Sequence, residues 1–396
     1  MLIKKARRSK AVVAAVMALM LILAACGSDD DNGDTTPDTG SGDVNGDDEL
    51  EPVVIRMTGD FPPPPFNTAV AMEWFKDQIE EKIPGSEVRN FYAGQLYNTG
   101  AEALEAMAAG NLEMNFGQYG KDAPFEPGHG VIVQPAALTT VGAIAKVGET
   151  EIGQILAERM AELGVTQIAT ASTSFFLGYA GKCPHPSVPD DLRGLNIRTF
   201  DAVTQPVILP KWGANPIAQA FSDVPSSLET GVLDGALTSV GGWLAIREQV
   251  PCYTAFGIGA LGQDPYNLTA STQWLDSLND ATRNKVVELA VEMADLSLYL
   301  TWCEDMKQVD AVGTTDVNEE GFLIHPPEVA ELFFGNDVLG NDVVNAIEAS
   351  VAEDVRPLVA QWFEEAQALS AANPPGSSPY EQADCAPYVE MLEMYS

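Results

Sequence analysis

The stretches VVIRMT (Val53–Thr58), SEVRNFY (Ser86–Tyr92) and LEMNFG (Leu112–Gly117) alternate with NTAVAMEWFKDQIEEKI (Asn67–Ile83) and GAEALEAMAA (Gly100–Ala109), and this alternation decides the fold. The first three read as strands. In the first intervening run Ala71, Trp74, Phe75 and Ile79 recur at helical spacing, and the second run is closed by Gly110. Strand, helix, strand, helix, strand predicts a parallel sheet joined by right-handed crossovers. A rigid loop, Pro62-Pro63-Pro64-Pro65, separates the first strand from the first helix.

Outward from that unit, a helical segment is expected over about Val141–Leu163, then strands over Gln167–Ala171 and Phe175–Lys182. Shorter alternating units follow. Strands are expected at Gly194–Thr199, Pro216–Ala218, Val232–Gly235 and Cys252–Phe256, with helices beginning at Asp201, Asp223 and Gly242. Two successive parallel-sheet units imply an α/β chain of two lobes, with a ligand cleft where their strand C-termini face each other. Pro265–Ser271 reads as a strand returning to the first lobe. From Asn279-Asp280 a helix runs to about Val312, with Val286, Leu289, Met293, Leu296, Leu300 and Cys303 on one face. At 1.5 Å per residue that is a rod on the order of 50 Å, long enough to cross both lobes.

The ends of the chain are of another character. Residues 1–26 hold five basic residues and no acid, then an apolar run from Ala11 to Ala25, the pattern of an export signal. The run ends in Leu23-Ala24-Ala25-Cys26, which is similar to the bacterial lipobox, so Cys26 is the expected lipidation site. Residues 27–52 are Gly, Ser, Thr, Pro and Asn with ten acids, too polar to offset their chain entropy by burial, and read as a disordered acidic tether. Lobe I is expected over 53–176 plus about 264–302, lobe II over 177–263 plus about 303–375, and a C-terminal extension over 376–396. Four further cysteines, Cys183, Cys252, Cys303 and Cys385, are expected to form two disulfides in an exported chain. Their spacing leaves three connectivities open; Cys183 with Cys252 and Cys303 with Cys385 is the working choice.

Charge narrows function. The chain carries 21 Lys+Arg against 57 Asp+Glu, a net −36, and the part after the basic signal is more acidic still. Nucleic-acid binding and adsorption to anionic lipid need clustered cations that this chain lacks, so contact with a membrane is expected through the lipid anchor alone. The three histidines, His129, His185 and His325, have no metal-ligand spacing, and neither a metal nor a cofactor is expected. No HExxH, Walker A loop or GxSxG elbow occurs. Gly257-Ile258-Gly259-Ala260-Leu261-Gly262 matches GxGxxG, but Gln263-Asp264-Pro265 breaks the helix that a pyrophosphate would need. It is read as a flexible crossing between lobes. Among the many carboxylates nothing singles out a glycosidase-like pair.

Gly94-Gln95-Leu96 with EALEAMAAGNLEM (Glu102–Met114), DDLRGLNIR (Asp190–Arg198) and SLETGVLDG (Ser227–Gly235) together resemble the extracytoplasmic solute-binding proteins of tripartite ATP-independent (TRAP) transporters, the dicarboxylate-binding-protein family. The resemblance covers roughly residues 53–365 and implies a two-lobed periplasmic-binding-protein-like fold with parallel-rich sheets. It implies a receptor, not an enzyme, that captures a small organic acid by lobe closure and delivers it to small and large TRAP membrane subunits. The implied location is the outer face of the bacterial cytoplasmic membrane. The arginine ending GLNIR carries the family's central ligand contact, which assigns Arg198 to it. A guanidinium binds a carboxylate through a planar fork and keeps its charge when desolvated. By the same alignment Gln118 and Thr238 face the cleft, Lys182 is the candidate for a second basic contact, and Phe66, Tyr119 and Trp243 are candidates for an apolar wall. Members that hold a metal have Glu-Trp where this chain has Leu237-Thr238. The competing readings are a binding lipoprotein of another uptake system or chemoreceptor, and an exported hydrolase.

Overall fold

The computed structural model describes residues 49–97, 99–201, 203–261, 265–312, 321–339 and 341–395. The export signal, Cys26 and nearly all of the tether lie outside the described residues.

Among the described residues, eleven strands form two sheets. They are β1 (Val54–Gly59), β2 (Glu87–Phe91), β3 (Met114–Gln118), β4 (Val165–Ser172), β5 (Gly178–Gly181), β6 (Asn196–Thr199), β7 (Asn215–Ala218), β8 (Gly235–Thr238), β9 (Cys252–Ala255), β10 (Pro265–Ser271) and β11 (Gly321–Ile324). The sheet of lobe I has the order β2-β1-β3-β10-β4, and that of lobe II the order β11-β9-β5-β8-β6-β7. β1 pairs in parallel with β2 and β3, as the opening alternation requires. Its Ile55 and Met57 are wholly buried, and β3 is buried along its whole length between β1 and β10.

In each sheet one strand runs against the rest, and it comes from chain that has just left the other lobe. β10 lies antiparallel between β3 and β4, and β5 antiparallel between β8 and β9. The first crossing, between β4 and β5, replaces the front of the strand expected at Phe175–Lys182. There the buried Asp305 carboxylate accepts from the Phe175 backbone N–H at 2.8 Å and from Ser174 Oγ at 3.2 Å. The second crossing holds the GxGxxG run. Gly259 has φ 69°, and a Cβ on it would stand 1.8 Å from the Leu138 carbonyl oxygen, so only glycine fits. Its own carbonyl accepts from Ala136 N–H, which makes this glycine a packing requirement and not a phosphate cradle.

Helix α1 (Asn67–Lys82) covers β1 and β2 and is buried around its first turns, with Trp74, Phe75 and Ile79 continuing into the core. Helix α2 (Gly100–Ala108) is capped by Thr99 Oγ1, which accepts from Glu102 N–H. The expected helix over 141–163 is instead Val141–Ala145, a 3-10 turn, and Glu151–Glu162, because Thr150 Oγ1 accepts from Gly153 N–H and restarts the helix. β8 begins three residues later than the strand expected at Val232–Gly235. Val232 is exposed and the Asp234 carboxylate holds Asn196 N–H, so sheet pairing starts at Gly235. Helix α3 (Val240–Ile246) follows β8, capped by Ser239 Oγ.

Helix α4 (Asp280–Val312) has 33 residues and spans both lobes. On the lobe I side Asn67 Nδ2 donates to Thr301 Oγ1 at 3.0 Å and Ser297 Oγ to Thr68 Oγ1 at 3.3 Å. Leu289, Met293, Leu296 and Leu300 are buried along it, each contributing on the order of 2 kcal/mol by removal from water. Disulfides join Cys183 to Cys252 and Cys303 to Cys385. The first ties the end of β5 to the start of β9; the second ties α4 to the segment before helix α5 (Ala386–Tyr395). Among the described residues no helix is long and apolar enough to cross a membrane.

Candidate functional site

The C-terminal ends of β1, β3, β6 and β8 converge on one pocket of about 350 Å³ between the sheets. Lobe I contributes Asp60, just past β1, Gln118 at the end of β3, Lys121 one turn later, and Tyr266, whose β10 position pairs with Gln118. Lobe II contributes Arg198 from β6, Thr238 from β8, and Ser239 and Gly242 at the start of α3. Phe61, Pro62, Phe66, Phe200 and Phe221 form the apolar wall. The pocket opens into a wider cleft of about 1520 Å³ that shares Asp60, Lys121, Phe200 and Phe221 with it.

Arg198 is 2% exposed and braced on several sides. Its Nε donates to the Gln219 carbonyl at 3.2 Å and its Nη1 to the Leu237 carbonyl at 3.1 Å. The Phe200 and Phe221 rings stand 5.8 and 5.6 Å from its guanidinium carbon. Carbonyl dipoles and ring faces orient the guanidinium, a group whose planar fork suits a carboxylate entering from the cleft. Asp201, three residues on, is buried and accepts from the backbone N–H groups of Val203, Thr204 and Gln205 and from Thr204 Oγ1. Burial pushes its carboxyl up, with those hydrogen bonds pulling the other way. It fixes the turn that carries Phe200.

Across the pocket, the Lys121 ammonium is paired with Asp60 Oδ2, and Tyr266 O–H donates to Asp60 Oδ1 at 3.1 Å. Phe61 stacks on Phe66 at 5.5 Å and leans on Tyr266 at 5.7 Å. The lobes also touch beside the pocket. Gly120 of lobe I lies close to Asp201 of lobe II, where an added Cβ would come within 3.2 Å of the Asp201 Cβ; within lobe II, a Cβ on Gly242 would come within 2.1 Å of Thr238 Oγ1.

Four of the residues expected at the site, Arg198, Gln118, Thr238 and Phe66, line this pocket. Three do not. Lys182 is exposed beyond the far end of β5: because β5 runs antiparallel, its Gly178 end lies beside Thr238 and its Gly181 end beside Gly235, away from the cleft. Tyr119 points into lobe I, its hydroxyl 3.2 Å from Thr170 Oγ1 and accepting from Gln167 Nε2, its ring against His129. Trp243 is buried under α3, donating from Nε1 to the Val250 carbonyl and packing on Tyr253. Asp60, Lys121, Tyr266, Phe200 and Phe221 were not anticipated, although Asp60 sits at a strand C-terminus as Arg198 does. Asking for every charged residue at such a terminus would have found it.

The model of bacterial extracellular solute-binding protein family 7 (DctP) matches residues 60–311, a span that contains every pocket residue. The chain belongs to this family. A solute-binding protein of Chromohalobacter salexigens is 26% identical over 175 residues, which cover 44% of this chain and about half, 52%, of that protein. The C4-dicarboxylate-binding periplasmic protein DctP of Rhodobacter capsulatus is 26% identical over 280 residues, covering 68% of this chain and 81% of that one. In fold, the sugar acid binding protein of Advenella mimigardefordensis in complex with galactonate superposes with a TM-score of 0.69 at 18% identity, covering 80% of this chain and 99% of that one. The two-lobed family 7 architecture is thus that of this chain, as the resemblance implied.

Proposed function

We propose that this family 7 chain is the extracytoplasmic receptor of a TRAP transporter. It captures a small organic anion between its lobes, closes on it, and hands it unchanged to small and large membrane subunits for uptake driven by an ion gradient. The observation that carries this reading is Arg198, a buried cation that donates to the Gln219 and Leu237 carbonyls at the meeting point of four strand C-termini from both lobes. A carboxylate docked there gains charge-assisted hydrogen bonds from a buried guanidinium. Contacts from both lobes make the closed state the one that ligand favours. The carboxylate ligands named for relatives, a C4-dicarboxylate and galactonate, agree with that chemistry. The reading extends to anchorage: Cys26, acylated after signal cleavage, holds the receptor at the membrane surface on its acidic tether, and nothing in the pocket is assigned a catalytic role.

The test is mass spectrometry of whatever small molecule co-purifies, followed by calorimetry with mono- and dicarboxylates. A receptor binds one class and returns it intact; conversion of the bound compound on incubation overturns the reading. Loss of membrane association in a Cys26→Ala variant expressed in a bacterial host checks the anchor.

A further inference from the structure

Beneath the pocket a carboxyl group is enclosed between the two lobes, outside the residues that line the ligand space. Glu304, in the second half of α4, is buried, and its Oε2 has no hydrogen-bond partner among the described residues. Its Oε1 accepts from Tyr388 O–H at 3.4 Å. The groups that cover it on the lobe I side are tied to α4. Phe66 is followed by Asn67, which donates to Thr301, and Tyr388 follows Cys385, which is bridged to Cys303. On the lobe II side the cover is Gly241, at the start of α3, where a Cβ would stand 2.9 Å from Glu304 Oε2 and 2.9 Å from the Phe66 ring. The next residue, Gly242, lines the pocket together with Phe66. Parting the lobes to admit an anion between Phe66 and Gly242 therefore also draws Gly241 off the carboxyl and lets water reach it.

Resting on the receptor reading above, we propose that Glu304 is a proton site coupled to lobe closure, so that the receptor takes up a proton as it captures an anion and releases it as the lobes part. A charged carboxylate costs far more to bury than the neutral acid, and Glu304 is enclosed only while the lobes are together. The charged and titratable groups that bear on it are on α5 and on α4 itself. Tyr388 of α5 donates to it, and Lys307 of α4 lies over the Tyr388 ring at 5.9 Å. Asp305, next on α4, is turned to the crossing between β4 and β5, where it accepts from Phe175 N–H and Ser174 Oγ. The α3 side presents Gly241 and the α1 side Phe66, neither of which ionises. Burial holds the Glu304 carboxyl up at about 7 with the lobes together, Tyr388 and Lys307 pulling it down. Hydration in the open state returns it toward its ordinary value of 4.5. Closure thus raises the affinity for a proton, and by linkage a lower pH favours closure and tightens the hold on the anion.

The experiment is titration calorimetry on the mature receptor with galactonate and with succinate, in paired buffers of low and high ionisation enthalpy. It is run on the wild type and on Glu304→Gln, each shown to melt cooperatively. The dependence of the observed heat on buffer enthalpy counts protons, and the difference between the two proteins cancels those exchanged by the acid itself or by other groups. The expected difference is an uptake of about 0.7 proton per bound anion at pH 6.5 and almost none at pH 8.5, with wild-type affinity gaining about fourfold on the variant between pH 8.5 and 6.5. Tyr388→Phe removes a hydrogen bond that favours the charged form, so it should carry the uptake to higher pH, and it decides the matter by itself if Glu304→Gln fails to fold. No difference between wild type and Glu304→Gln at pH 6.5, a release in place of an uptake, or an unmoved profile in Tyr388→Phe each overturns the proton site while leaving the receptor reading standing. If neither acid binds the wild type, the receptor reading falls and the proton site with it.

Discussion

Lobe I with the order β2-β1-β3-β10-β4 and lobe II with β7-β6-β8-β5-β9 are the same arrangement strand for strand, β11 being an addition at the edge of the second. Yet equivalent tips carry opposite charge. β1 leads to Asp60, whose charge is cancelled within its own lobe by Lys121. β6 carries Arg198, which donates to two carbonyls and lies against two aromatic faces. The repeated scaffold fixes where a contact can be made. The partners around each tip decide what that contact can bind.

Removing Arg198 should break the asymmetry most severely. Arg198→Ala is expected to cost about 4 kcal/mol of ligand affinity, roughly a thousandfold, by leaving the ligand carboxylate buried without a counter-charge. The apo melting temperature should shift far less than affinity does, and calorimetry beside a thermal melt separates the two. An affinity within threefold of wild type would remove Arg198 from the site.

The lobes also differ in how their intruding strand is held. β10 is paired with β4 over seven residue pairs, Pro265 to Ser271, whereas β5 is paired with β9 over four, Gly178 to Gly181, and the Cys183–Cys252 bridge stands at the end of that shorter ladder. Cys183→Ser with Cys252→Ser is expected to destabilise the protein by about 4 kcal/mol, the scale for a bridge between cysteines 69 residues apart. Hydrogen exchange should show protection falling first in β5 and β9 and last in β10 and β4. Equal loss in both sheets would mean that the bridge stabilises the molecule as a unit and that the ladder comparison is irrelevant.

Where the two lobes share α4, Glu304 gives a third, somewhat smaller test. It is buried, its Oε1 accepts from Tyr388 O–H at 3.4 Å, and its Oε2 has no partner among the described residues. Oε2 faces Gly241 of lobe II, and Phe66 of lobe I lies against the same glycine, so that a Cβ there would sit 2.9 Å from each. Burial raises its pKa to about 7, with Tyr388 and Lys307 pulling it down. The folded state therefore holds the Glu304 proton more tightly than the unfolded state. Its contribution is fully present below about pH 4.5 and is lost as pH rises to about 7. Glu304→Gln should keep a neutral group there at all pH, so its stability relative to wild type should climb by about 2–3 kcal/mol between pH 4.5 and 8. Parallel stability curves in denaturant titrations would rule this out.

How far these features were legible in the sequence follows from their range of interaction. Local alternation and caps carried the strands, α1, α2 and α4, and a motif ending at a strand tip carried Arg198. The direction of β5 was not legible, because it is set by β8 and β9, which lie more than fifty residues downstream. Lys182 fell on the wrong side of the lobe as a result. Tyr119 directly follows the end of β3 and Trp243 stands five residues past the end of β8, but a helical turn rotates a side chain away from the cleft as readily as toward it. Asp60 and Lys121 form a pair across 61 residues, a separation at which spacing carries no signal.

The smallest predicted effect concerns what both lobes have in common. After the basic signal the chain carries 16 Lys+Arg against 57 Asp+Glu, so an anionic ligand approaches a surface of its own sign and is attracted only at short range by Arg198. The two fields respond differently to salt. Repulsion from exposed carboxylates acts over distances comparable to a Debye length of about 10 Å at 0.1 M and is screened, while the contact inside the pocket is largely desolvated and is not. Raising salt from about 10 to 150 mM should therefore tighten binding a fewfold, through a faster association rate with dissociation nearly unchanged. Stopped-flow kinetics reads both rates. A weakening with salt would mean that the long-range field attracts the ligand, which makes the ligand a cation and removes Arg198 as its anchor.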